Sequence, residues 1–355
     1  MDHPHLSLRR RQILQTALGF GACLTLPGML AGCRPRSDGA LLLTVEGTWP
    51  ARWLKRLPAG WHSQRSATAT ALLARLQPSA STAAAPLSPA LVGLADGWAT
   101  EQPLSTWRPL EAQASGLLSR LADSDLVTEA TRLFEPSPAP SRALPWSFTP
   151  WVLVLRSRPD LAARASEGWS LLLDPSLRKR LVLPSSPRVC MELMQGDFAQ
   201  IQGLRRQVLA HDDRHGLNLL LGGQAQAAVL PLRGLIPLLR RDQRLQVLLP
   251  VSGAPLSWQM LLQPASPEGD PAPSLPLAWM GEILEAPLLP VLLRDGWVPP
   301  LPRSQLEPAL ERLPRALSSL LLPPEEVLQR CWSLPPLSIA EQLTLQTQWD
   351  AAGES

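Results

Sequence analysis

Residues 144–155 read Leu144-Pro145-Trp146-Ser147-Phe148-Thr149-Pro150-Trp151-Val152-Leu153-Val154-Leu155. The last five are an unbroken apolar run, too short for a globular helix and without the alternation of a half-exposed strand, so the expectation is a buried strand. Similar runs recur at 41–45, 90–94, 181–183, 225–230 and 245–249. Segments with helical spacing lie among and after them, at 51–57, 68–76, 117–134, 214–221, 304–322 and 338–349. Asp213 fits as the N-cap of the 214–221 helix, and Gly222-Gly223 as its stop just before the next strand. The Ser-, Ala- and Pro-rich stretches 78–89 and 135–141 read as loops. Buried strands alternating with helices predict an α/β fold of mostly parallel sheets covered by helices, divided into two lobes.

Composition narrows the function. The chain has 355 residues, 45% hydrophobic and 18% charged, enough for one large or two medium domains. Its formal charge is only +3, and Arg9-Arg10-Arg11 form a single N-terminal run. No concentrated basic face remains for nucleic acid, so no nucleic-acid partner is expected. With 13 Trp, four Phe and no Tyr, any aromatic contact to a ligand falls mostly to Trp.

The arginine run is followed by an apolar stretch over 13–26 and then by Leu30-Ala31-Gly32-Cys33. That stretch is shorter than the roughly 20 residues a membrane-spanning helix needs, so residues 1–32 read as a cleaved signal peptide. Leu-Ala-Gly-Cys resembles the lipobox of bacterial lipoproteins, which implies that Cys33 is lipidated and becomes the first mature residue. Arg10-Arg11-Gln12-Ile13-Leu14 is similar to the twin-arginine export motif; the general secretory route stays open beside it. Residues 33–40 form a tether, and a pair of acyl chains holds the domain outside the cytoplasmic membrane, in a periplasmic setting. Cys190 and Cys331 are the other mature cysteines, and an oxidising compartment permits them either to pair or to remain buried thiols.

Five phrases, in order, resemble the extracellular solute-binding proteins of ABC importers, in particular the spermidine/putrescine-binding type II periplasmic proteins. Leu41-Leu42-Leu43-Thr44-Val45-Glu46-Gly47-Thr48-Trp49 is similar to the opening strand and first cleft loop. Pro89-Ala90-Leu91-Val92-Gly93-Leu94-Ala95-Asp96-Gly97-Trp98 is similar to a strand whose loop reaches the ligand. The stretch from Leu144 to Leu153 resembles the first hinge crossing, and Trp169-Ser170-Leu171-Leu172-Leu173-Asp174-Pro175-Ser176-Leu177-Arg178-Lys179-Arg180 the segment before the 181–183 strand. Ala254-Pro255-Leu256-Ser257-Trp258-Gln259-Met260 is similar to the second crossing.

The resemblance implies a two-lobed α/β fold with two hinge crossings, near Trp146 and Trp258. Lobe one comprises 41–145 with 259–322, and lobe two 146–258 with 323–355. It further implies a monomer that captures a small ligand and delivers it to an ABC permease, with no catalysis and no cofactor. The cleft residues it points to are Glu46, Trp49, Asp96, Trp98, Trp146, Ser185, Ser186, Arg188 and Trp258.

A polyamine needs carboxylates for its ammonium groups and aromatic faces for its stem. The four tryptophans are in place, and Glu46 and Asp96 are the acids. The family's acidic pair aligns with Ser185-Ser186-Pro187-Arg188, and a further expected acid falls at Met260. A polyamine-like solute is the leading expectation. Ser185, Ser186 and Arg188 suit an anion or a hydroxylated ligand instead. Each tryptophan can equally be a core aromatic, and the two acids can be solvated loop residues. A protein that keeps the fold but acts as a scaffold or sensory lipoprotein is the alternative from another class.

Two other patterns carry little. Ser176-Leu177-Arg178-Lys179 matches the Ser-x-x-Lys nucleophile motif, but its Lys-Thr-Gly partner is absent from the sequence. His211-Asp212-Asp213-Arg214-His215 reads as a solvated loop rather than a metal site, because Asp213 as N-cap leaves His211 before the helix.

Overall fold

The computed structural model describes residues 39–76, 89–121, 141–212, 215–265 and 274–353. The expected signal segment, Cys33 and most of its tether, the loops at 78–88 and 135–140, most of the 117–134 helix, and Asp213 lie outside the described residues.

The described strands form one sheet. They are β1 (Ala40–Val45), β2 (Trp61–Ser66), β3 (Leu91–Ala95), β4 (Ala143–Arg156), β5 (Leu181–Leu183), β6 (Val208–His211), β7 (Ala227–Pro231), β8 (Leu245–Leu248) and β9 (Leu256–Leu262). Their order is β2-β1-β3-β9-β4-β7-β5-β6, with β8 also on β4. The pairs β1–β2, β1–β3, β5–β6 and β5–β7 are parallel, and of these β1–β3 and β5–β7 join strands that the apolar runs predict. The expectation of mostly parallel sheets is corrected by β4 and β9, which run antiparallel to every partner. Both are strands of passage between halves of the sheet rather than steps in a βα crossover, so no rule of parallel pairing applies to them.

β4 organises the molecule. At 14 residues it is roughly 45 Å long, and every residue but Arg156 is buried. From Ala143 to Pro150 it pairs with β9; from Trp151 onward it pairs with β7 and, from Leu153, with β8. The sheet therefore has two halves, β2-β1-β3-β9 and β7-β5-β6 with β8, joined along one strand that changes partners between Pro150 and Trp151. Sequence reading finds only the second half of β4, because Pro145 and Pro150 argue against a strand. The register shift between Pro145 and Ser147 shows how the first is tolerated: a bulge absorbs the proline, which has no N–H for the ladder, and re-aims Trp146.

Helices cover both halves. The expected 304–322 helix is two, Arg303–Leu310 and Arg315–Leu321, interrupted before Pro314. The C-terminal helix Ile339–Ala351 starts with a capping box in which Ser338 and Glu341 satisfy each other's backbone N–H groups. It packs on the helix Pro187–Leu193 of the second half. Its Trp349 lies under the Arg205 guanidinium, 4.6 Å from the ring centre.

Candidate functional site

In open α/β sheets ligands bind beyond the carboxyl ends of the strands, where helix N-termini and loops converge. β1 ends at Glu46 and Gly47, β3 at Asp96, β5 just before Ser185, Ser186 and Arg188, and β7 just before Arg233. The first two belong to one half-sheet and the last two to the other. Two interactions show that these ends face each other across a seam. Arg233 Nη1 donates to the Gly47 carbonyl at 3.3 Å. Asp96 and Arg188 attract each other electrostatically.

Asp96 is buried at the start of the short helix Asp96–Ala99. Its Oδ1 accepts the Trp258 backbone N–H at 3.1 Å and the Ser257 hydroxyl at 3.5 Å, both from β9. Loss of water pushes its carboxyl up to about 6, against the pull of backbone N–H groups and Arg188. Burial in turn pushes the Arg188 guanidinium down, opposed by Glu192, Asp96 and Glu341. Arg188 Nε is buried without a hydrogen-bond partner. Glu192 accepts the Trp332 indole N–H at 3.2 Å, which ties the C-terminal segment to this corner.

The tryptophans form a different assembly. Trp49 and Trp53 stack at 4.8 Å, Trp53 and Trp279 at 4.4 Å, and Trp146 lies 4.8 Å from Trp49 and from Trp297. Trp53 and Trp279 each donate their indole N–H to the other's backbone carbonyl at 3.0 Å. All five rings are buried. Trp49 lies so flat on β3 that a Cβ at Gly93 would come within 2.3 Å of its ring. Its Nε1 and that of Trp146 are buried without an acceptor.

The structure brings Asp96, Trp258 and Arg188 into one corner, and Trp49 and Trp146 into the aromatic group. Trp258 is buried against Phe148 and donates its indole N–H to Ser333 at 3.0 Å. Trp98 is 41% exposed, and Glu46 and Ser185 are exposed. Ser186 is half-buried. Among the described residues no ring contact joins Trp98 or Trp258 to the Trp49 group. Sequence reasoning misses Arg233, Ser257, Trp53, Trp279 and Trp297. For Arg233 a signal existed: it follows the carboxyl end of a strand read correctly from its apolar run, as Asp96 follows β3. Among the described residues there is no cluster of His, Cys, Asp and Glu able to hold a metal, and Cys190 and Cys331 are buried thiols.

Two half-sheets joined along one strand, with facing carboxyl ends, define the fold of the two-lobed periplasmic binding proteins, and solved structures agree. The spermidine/putrescine ABC transporter substrate-binding protein of Streptococcus pneumoniae superposes with a TM-score of 0.68 over 89% of this chain and 99% of its own, at 10% identity. A lipoprotein of Treponema pallidum gives 0.64 over 90% and 100%, at 12% identity. A Bordetella ferric binding protein gives 0.55 over 89% and 99%, at 15% identity. These neighbours are binding proteins rather than enzymes, and at such identities what they share with this chain is the fold. No protein-family profile and no curated protein matches the sequence.

Proposed function

We propose that this chain is the solute-binding component of an ABC importer, taking a small ligand into the seam between its half-sheets and presenting it to a permease. The observation that carries this reading is the facing of the carboxyl ends of β1 and β3 with those of β5 and β7, joined by the hydrogen bond from Arg233 to Gly47, with the Arg188 charge felt at Asp96. The lobes of this reading are those expected from the sequence, 41–145 with 259–322 and 146–258 with 323–355, except that the first passage lies at the Pro150–Trp151 partner change. Acylation of Cys33 through its sulfur anchors the mature protein, a monomer, at a membrane after export. Among the described residues no helix is long and apolar enough to cross one.

A polyamine-like ligand is supported by what the Streptococcus pneumoniae neighbour is named for and by Glu46 and Asp96. A second reading, an anionic solute, is favoured by the two guanidiniums at the seam. The test is a melting-temperature screen of the purified full chain with polyamines, amino acids, organic acids, sugars, phosphate and iron chelates. A true ligand at 100 times its Kd stabilises by about 2.7 kcal/mol, a readily measured shift. Silence across the panel would favour the scaffold alternative, with which the buried packing of Trp49, Trp146 and Trp258 is also consistent.

A further inference from the structure

Arg233 is a cation at the seam with no counter-charge among the described residues. Its backbone N–H donates to Thr149 Oγ1 at 3.1 Å, which fixes it beside the point where β4 changes partners. Its guanidinium lies 4.0 Å from the Trp297 ring centre. The bond from Nη1 to the Gly47 carbonyl is the one hydrogen bond this guanidinium makes among the described residues, so most of its five N–H donors remain unused. No described carboxylate pairs with it. Loss of water alone holds it down at about 10, and Glu46, the acid beside Gly47, is turned to solvent.

A half-buried guanidinium without a partner acid adds no ion pair to the fold, and a neutral side chain of similar size would fold as well. Beneath Trp297 its surroundings are aromatic, with the buried Trp146 ring 4.8 Å from that of Trp297. A positive guanidinium at the seam repels an ammonium group and matches a group that brings lone pairs and negative charge, best of all a planar carboxylate facing the arginine fork.

We propose that the seam takes a small solute bearing a carboxylate or comparable oxyanion, with the Arg233 guanidinium, seated on Trp297, as its principal charge contact. This rests on the solute-binding reading above. Titration calorimetry of the full chain in detergent, with glutamate, succinate, citrate, inorganic phosphate, spermidine, putrescine and glucose, tests it in the wild type, Arg233→Gln and Arg233→Lys. At least one carboxylate or phosphate binds the wild type, Arg233→Gln weakens it about thirty-fold or more, and Arg233→Lys, which keeps the charge but loses the fork, weakens it less. The ligand-free Arg233→Gln protein melts no lower than the wild type. Anion binding untouched by both variants overturns the proposal. So does a lowered melting temperature for ligand-free Arg233→Gln, which would make Arg233 a structural tie. Binding of spermidine, putrescine or glucose without any anion overturns this inference and leaves solute binding standing, whereas no binding of any solute overturns both.

Discussion

Alanine at Gly93 tests the aromatic packing beside the seam. A Cβ there would lie 2.3–2.4 Å from Cζ2, Cε2 and Nε1 of Trp49, against an ordinary carbon contact of about 3.5–4.0 Å, so the indole must move by more than about 1 Å. It has little room, since Trp53 and Trp146 both lie 4.8 Å from it and Trp279 closes the stack behind Trp53. Overpacking of this kind costs about 1–3 kcal/mol, and loosening two aromatic pairs adds about 0.5–1.5 kcal/mol each. Removing a glycine from a strand returns about 0.5–1 kcal/mol. The net is a loss of about 2–4 kcal/mol, or about 3–5 °C in melting temperature for a chain of this size. Urea unfolding followed by tryptophan fluorescence measures it, with Trp49→Ala and the double variant completing a cycle. Trp49→Ala alone should cost about 3–5 kcal/mol, and adding Gly93→Ala to it should cost nothing more. A neutral Gly93→Ala, or a double variant showing the sum of the single losses, would refute the packing argument.

Three other outcomes follow from the same geometry. Asp96 is held at about 6 in the folded protein, above its unfolded value, so the folded state keeps a proton that the unfolded state has released between about pH 4 and 6. Its contribution to stability is greatest near pH 4 and falls by about 3 kcal/mol as pH rises to 6; the difference between wild type and Asp96→Asn in urea titrations at each pH isolates it. The Asp160 and Asp242 carboxyls, drawn down to about 2 by Arg158 and Arg244, titrate below that window. Trp258→Phe removes the indole N–H given to Ser333 and leaves a buried hydroxyl short of a donor, which should cost about 1 kcal/mol or somewhat more in chemical denaturation. Cys33→Ser should move the protein from the membrane pellet to the soluble fraction on ultracentrifugation, and an unchanged pellet would remove lipidation from the account.

How far the sequence reveals this molecule depends on what each strand faces. β1, β3, β5 and β7 were legible because they are mostly buried runs of Leu, Val and Ala, and β8 by its apolar residues although only Leu245 of them is buried. β2 was not, since at the sheet edge it reads Trp-His-Ser-Gln-Arg-Ser with three exposed positions and no apolar signal. β6 was missed because four residues directly after the helix Phe198–Gln207 carry too little pattern. The seam was half legible. Asp96 and Arg188 sit at strand ends that apolar runs mark in advance. The tryptophan contacts were not legible, because the bulge at Pro145 and the close approach at Gly93 decide where Trp146 and Trp49 point, and both depend on strands far apart in sequence.

The central claim is that the half-sheets close on a solute, and the direct measurement is a distance across the seam. Ala67 follows β2 in one half and Gln243 precedes β8 in the other, and both are exposed, so fluorophores on Ala67→Cys and Gln243→Cys report hinge motion. The account predicts that one class of solute narrows the single-molecule transfer distribution to one closed distance, saturating with concentration, while the others leave it unchanged. A distribution that no solute in the panel moves would contradict capture between the lobes.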